Sequence, residues 1–125
     1  MPITVHAYTS LENDEMRSQL ERLYDTSPEF ADGKDAIEQL EQNLAQYTLV
    51  YTAEFNTKLI GAIWCSGQGE SKTLENIVVH PANRGRGVAD RLVSEVCRME
   101  EDKGVKVFEP GCGASHRCLA HLEKI

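Results

Sequence analysis

The stretch "LENIVVHPANRGRGVADRLVSEV", residues 74–96, runs from an apolar, β-branched segment through an arginine–glycine cluster into a helical pattern. Pro81 fixes the exit from the strand, and Asn83 and Gly85 are turn formers. From Gly87 onward, Val88, Leu92, Val96 and Met99 recur at helical spacing, with Val93 and Cys97 beside them. That spacing predicts a helix ending at Lys103-Gly104. Where a strand passes into a helix, the first backbone N–H groups lack intrachain partners and the peptide dipoles add about half a positive charge. An anion suits that position. Arg84-x-x-Gly87-x-Ala89 keeps the closest positions small, while Arg84 and Arg86 add positive charge. No Gly-Lys-Ser/Thr follows the glycines, which excludes a Walker loop. The spacing is not G-x-G-x-x-G, so a dinucleotide fingerprint fits poorly. The plain alternative is a glycine-rich connector with solvated arginines.

Working outward, "ITVHAYT" (3–9) alternates and reads as a first strand. Two helices follow. Met16, Leu20, Leu23 and Tyr24 form the stripe of one, ended by Ser27-Pro28, and Ile37, Leu40 and Leu44 that of the other. Period two then takes over. Tyr47, Leu49, Tyr51, Ala53 and Phe55 share a face, "NT" (56–57) is a turn, and "KLIGAIWCSG" is the partner strand. "KTLENIVVH" is a third strand, apolar enough at 77–79 to be central. Beyond the third helix, "VKVFEP" reads as a strand parallel to its neighbour, and "ASHRCLAHLEKI" (114–125) as a last helix with Cys118, Leu119 and Leu122 inward. The order β-α-α-β-β-β-α-β-α predicts a mixed α/β layer, one domain over residues 1–125.

A chain of 125 residues with 41% hydrophobic and 26% charged residues can build a core without disulfides or a metal. Cys65, Cys97, Cys112 and Cys118 are irregularly spaced and read as free thiols. No apolar run is long enough to span a bilayer, and the N-terminus lacks an export pattern, so a cytoplasmic protein without membrane contact is expected. Residues 10–46 carry ten acids and three bases, which accounts for the whole net charge of −7. Such a lobe repels nucleic acid and favours cationic partners or amine substrates, unless it is simply the solvated face of two helices.

The residues 74–96 resemble the acyl-CoA-binding motif of the GNAT (Gcn5-related N-acetyltransferase) superfamily, R/Q-x-x-G-x-G/A, at the fourth strand and third helix. The element order agrees with the GNAT fold over essentially the whole chain. The resemblance implies acetyl-CoA as ligand and N-acetyl transfer to a small amine or a protein lysine. It implies that the amides of Arg86, Gly87, Val88, Ala89 and Asp90 hold the pyrophosphate, with Arg84 and Gly85 in the same turn. It places the pantetheine arm along Ile77, Val78 and Val79. A narrower resemblance, carried by Phe55, Asn56, Lys58, Leu59 and Ala62, is to the PanZ family of acetyl-CoA-sensing maturation factors of aspartate decarboxylase. That implies a protein partner and a regulator in place of an enzyme. The turn "HPANRGRG" departs toward ordinary GNAT enzymes.

Acetyl transfer to an amine needs a base, a polarised carbonyl and a protonated leaving thiolate. Glu75, near the start of the third meander strand, is the candidate base, and an acid at the corresponding position serves several GNAT enzymes. Its plain alternative is a surface carboxylate. His80 is the second candidate, although a histidine before Pro81 also reads as a strand end. The resemblance assigns the thioester oxygen to the Ile77 amide. Many GNAT enzymes use a tyrosine on the last helix as general acid, and "ASHRCLAHLEKI" has none. Cys112, His116, Cys118 and His121 match no common zinc spacing, so no metal is expected. Family members continue past the last helix into further strands, so an open sheet edge after the fifth strand is expected, available to a partner by strand addition.

Overall fold

The computed structural model describes residues 3–11, 13–27 and 30–110. The expected last helix, with Cys112, His116, Cys118 and His121, lies outside the described residues, as does the Pro28 stop. The elements are β1 (Thr4–Tyr8), α1 (Asp14–Tyr24), α2 (Gly33–Leu44), β2 (Thr48–Phe55), β3 (Lys58–Ser66), β4 (Ser71–Val79), α3 (Val88–Glu101) and β5 (Val107–Pro110). The sheet runs in the order β1-β2-β3-β4-β5. It is antiparallel from β1 to β4, and β5 pairs parallel to β4, as its helical connection requires.

Each of the three described helices buries the stripe that its spacing foretold. Met16, Leu20, Leu23 and Tyr24 of α1 join Ala36, Ile37 and Leu40 of α2 over one sheet face, where they meet Val50, Leu59, Ala62, Trp64 and Val78. Trp64 Nε1 donates to Tyr24 Oη at 2.8 Å, so the largest side chain of this layer is buried without an orphaned N–H. Val88, Leu92, Val93, Val96 and Cys97 of α3 cover the other face, against Tyr51, Ala53, Ile60, Ile63, Cys65 and Leu74.

Local chemistry sets the boundaries. Asn13 Oδ1 accepts from the amides of Glu15 and Met16 and starts α1, and Asp32 does the same for Asp35 of α2. Gly33 sits where an added Cβ would lie 2.1 Å from the Glu21 carbonyl oxygen, so only glycine lets α1 and α2 approach. Asn56 and Thr57 both adopt left-handed φ (52° and 65°), giving the hairpin a turn whose twist matches its strands. Tyr47 corrects the alternation read from the sequence: it lies before β2 at φ 60° and is 70% exposed, so the shared face begins at Leu49. Thr48 is the first residue to pair, with Ser66, because the reversed backbone at Tyr47 swings that side chain out of the pleat.

Candidate functional site

β4 carries the irregularity that shapes the site. Trp64 stands opposite Glu75 and Ala62 opposite Val78, so Asn76 and Ile77 together face the single residue Ile63. This is a β-bulge, and Asn76 takes the left-handed φ (53°) that asparagine tolerates better than most residues. The extra residue inverts the alternation beyond it. Leu74, Ile77 and Val79 pack toward α3, whereas Val78 packs toward α1 and α2. β5 pairs only with Ser71–Leu74. Among the described residues, nothing pairs with the outer edge of β4 from Glu75 to Val79. β4 is therefore central over its first half only.

After β4 the chain makes a 3-10 turn over Pro81–Asn83, and His80 Nδ1 accepts from the Ala82 amide at 3.1 Å. His80 is exposed and acts as the cap of that turn. Arg84 Nε donates to the Val79 carbonyl at 2.9 Å, tying the turn to the end of β4. Gly85 and Gly87 have φ of 77° and 78°, and a Cβ at either would meet nothing within 4 Å. The glycines are needed for conformation, and the space above them is open. Arg86 is exposed beside them.

Of the three described helices, α3 alone starts without a side-chain cap. Its first bond runs from Arg91 N to Gly87 O at 3.0 Å, so the amides of Val88, Ala89 and Asp90 precede the ladder. The Val88 side chain is buried, Ala89 is half-buried and the Asp90 carboxylate is exposed. With Arg84 and Arg86, these amides form a positive mouth next to the open β4 edge. The residues named from the sequence at 77–79 and 84–90 thus meet at one corner. They suit an anionic head with an extended arm, which a strand edge can hydrogen-bond.

Glu75 lies one residue before the bulge and is half-buried. It accepts from Ser66 Oγ at 2.9 Å, and Ser66 Oγ is 3.0 Å from Thr48 Oγ1. These partners come from β2 and β3, and no local spacing pointed to them. Two grooves, of about 460 and 620 Å³, lie elsewhere, between α1 and the β2–β3 hairpin. They share Glu15, Gln19, Thr57 and Leu59, and His80 lines the second, but neither touches Glu75 or the glycine turn.

Under α3 the sequence reading missed a buried polar group. Glu100 is fully buried, with Cys65 Sγ donating to its Oε1 at 3.5 Å. Burial, with the Glu100 carboxylate adding to it, pushes the Cys65 thiol up to about 12 and the Tyr51 hydroxyl well above its ordinary range. Burial likewise raises Cys97 to about 12. These thiols are poor nucleophiles. Among the described residues, no three His, Cys, Asp or Glu side chains gather as metal ligands.

A five-stranded mixed sheet with α1 and α2 on one face and α3 on the other is the fold of solved GNAT acetyltransferases. A GNAT-family acetyltransferase from Staphylococcus aureus superposes with a TM-score of 0.72 at 18% identity, covering 91% of this chain and 89% of that one. A ribosomal-protein-alanine N-acetyltransferase from Brucella melitensis gives 0.71 at 14%, over 99% and 88%. An aminoglycoside 6'-N-acetyltransferase crystallised with coenzyme A gives 0.68 at 20%, over 84% of this chain, which spans 58% of that enzyme. No curated protein sequence matches. The family model described as "Acetyltransferase (GNAT) domain, PanZ" matches residues 2–110, and the chain belongs to that family.

Proposed function

We propose that this protein binds acetyl-CoA, with the diphosphate on the amides of residues 86–90 and the pantetheine arm along Ile77–Val79, and transfers the acetyl group to an amine. The observation that carries the reading is the set of uncapped α3 amides beside the unpaired edge of β4. Bound acetyl-CoA supplies an activated acetyl thioester. Glu75 takes the proton of the attacking amine, directly or through a water, while Ser66 holds its carboxylate in place. As the C–N bond forms the thioester C–S bond breaks, and the coenzyme A thiolate leaves and is protonated from solvent. The Ile77 amide, freed from regular pairing by the bulge, donates to the developing oxyanion. The acidic face of α1 and α2 favours a cationic acceptor, a small amine or a protein lysine.

The family match favours a second reading, in which the same ligand makes the protein a sensor that acts on aspartate decarboxylase. The ligand site common to both readings is tested first, and the acceptor second. Gly87→Glu sets a carboxylate against the diphosphate in a strained left-handed position, and calorimetry is expected to show acetyl-CoA binding lost; unchanged affinity would refute the site. A pull-down with and without acetyl-CoA then decides the acceptor. A stoichiometric, ligand-dependent aspartate decarboxylase supports the sensor, and thiol release with an amine panel supports the transferase.

A further inference from the structure

We propose that Glu100 of α3 and Lys72 of β4 form an anchor that fixes α3 in register along β4, and so sets the distance between the glycine turn and the open strand edge. The role rests on the reading that one ligand spans both. Glu100 lies on the last turn of α3, where the helix dipole is negative, and it is fully buried. A carboxylate is doubly disfavoured there unless partners surround it. They come from several elements. Lys72 Nζ lies 3.9 Å from Oε1, Lys103 Nζ lies 3.8 Å from Oε2, and the Cys65 thiol of β3 donates to Oε1. The Tyr51 hydroxyl of β2 lies near enough for the same carboxylate to raise its pKa. Both that hydroxyl and Glu100 Oε2 are buried without a hydrogen bond among the described residues, Oε2 having only the Lys103 ion pair.

The rest of the α3 interface lacks such direction. Val88, Leu92, Val93 and Val96 are apolar side chains of similar size, and apolar burial is non-directional. A helix displaced by one turn would again match apolar to apolar. It would also carry Glu100 away from Lys72 and Cys65, leaving the buried carboxylate with only Lys103 of its own segment, which is destabilising. At the other end, an added Cβ at Gly61 would lie 3.3 Å from the Val78 oxygen and 3.4 Å from Val88 Cγ1, so α3 is already at closest approach to the sheet. The glycine sets the depth of α3 and the ion pair its axial position. α3 carries the diphosphate amides and β4 the arm-binding edge, so a shift between them is felt only by a ligand that touches both.

The test exchanges the pair for apolar side chains of similar volume, E100L/K72M, a change that commonly leaves folding stability intact. With folding verified by circular dichroism and melting, calorimetry compares acetyl-CoA with 3'-phospho-ADP, the portion of coenzyme A without the arm. Expected is a loss of about tenfold or more for acetyl-CoA, because two linked contacts fall out of step, with 3'-phospho-ADP within about twofold of native. Native acetyl-CoA affinity in the folded variant overturns the anchor, and so does an equal loss for both ligands. Should the double variant not fold, K72M and E100Q are measured separately by the same two readouts. A native protein that binds neither ligand overturns the ligand reading itself.

Discussion

At the residue scale, the chemistry turns on how few side chains are held in unusual states. Glu75 is one: a half-buried carboxylate held by a serine from the neighbouring strand, one residue from a left-handed asparagine. If it is the base, Glu75→Gln keeps the Ser66 contact and removes the basicity. The expected outcome is turnover lower by about 10²-fold or more with acetyl-CoA affinity unchanged, measured by thiol release and calorimetry. Equal turnover would remove Glu75 from the mechanism. The candidate itself was legible in the sequence as an acid ahead of an apolar run. Its Ser66–Thr48 support was not, because those residues lie nine and 27 positions away and only strand pairing brings them near.

At the element scale, periodicity gave the described strands and helices almost to their ends, because each has one buried face and the pattern records it. The bulge in β4 was invisible to the same logic. Asn76 reads as one more polar residue in a strand, and the inverted faces of Ile77, Val78 and Val79 are all apolar, so the pattern does not break. Glu100 hid for the opposite reason: in "RMEEDKG" it resembles a solvated helix end. The hairpin offers a direct test of backbone strain. Thr57 is β-branched yet sits at φ 65°, a region costing about 1–2 kcal/mol per residue. Thr57→Gly relieves that strain at some entropic cost, so a net gain of about 0.5–1 kcal/mol is expected in urea unfolding, with the m-value unchanged.

For the whole molecule, the two layers divide the electrostatics. The acidic segment 10–46 forms α1 and α2 on one sheet face, while the arginines of the glycine turn lead into α3 on the other. An anionic ligand and a cationic acceptor would therefore approach from different sides. The buried thiols give a pH signature. Cys65 and Cys97 titrate near 9 when unfolded and are raised to about 12 in the fold. Above pH 9 the unfolded chain binds fewer protons than the native one, so stability falls with rising pH by up to about 1.4 kcal/mol per unit for each thiol. Melting temperatures from pH 7 to 10.5 are expected to hold to about 9 and then drop. Cys65→Val should flatten that drop; an unaltered slope would show that the thiol does not contribute.

The Trp64–Tyr24 bond has one more consequence. Trp64 is the only tryptophan of the chain, and it is sealed beneath α1 on the face away from α3. Its fluorescence is thus a one-sided reporter: emission shifts when the α1–α2 cover lifts, and stays silent when α3 alone loosens. Read beside far-ultraviolet helicity during unfolding, that single chromophore tells which cover leaves the sheet first.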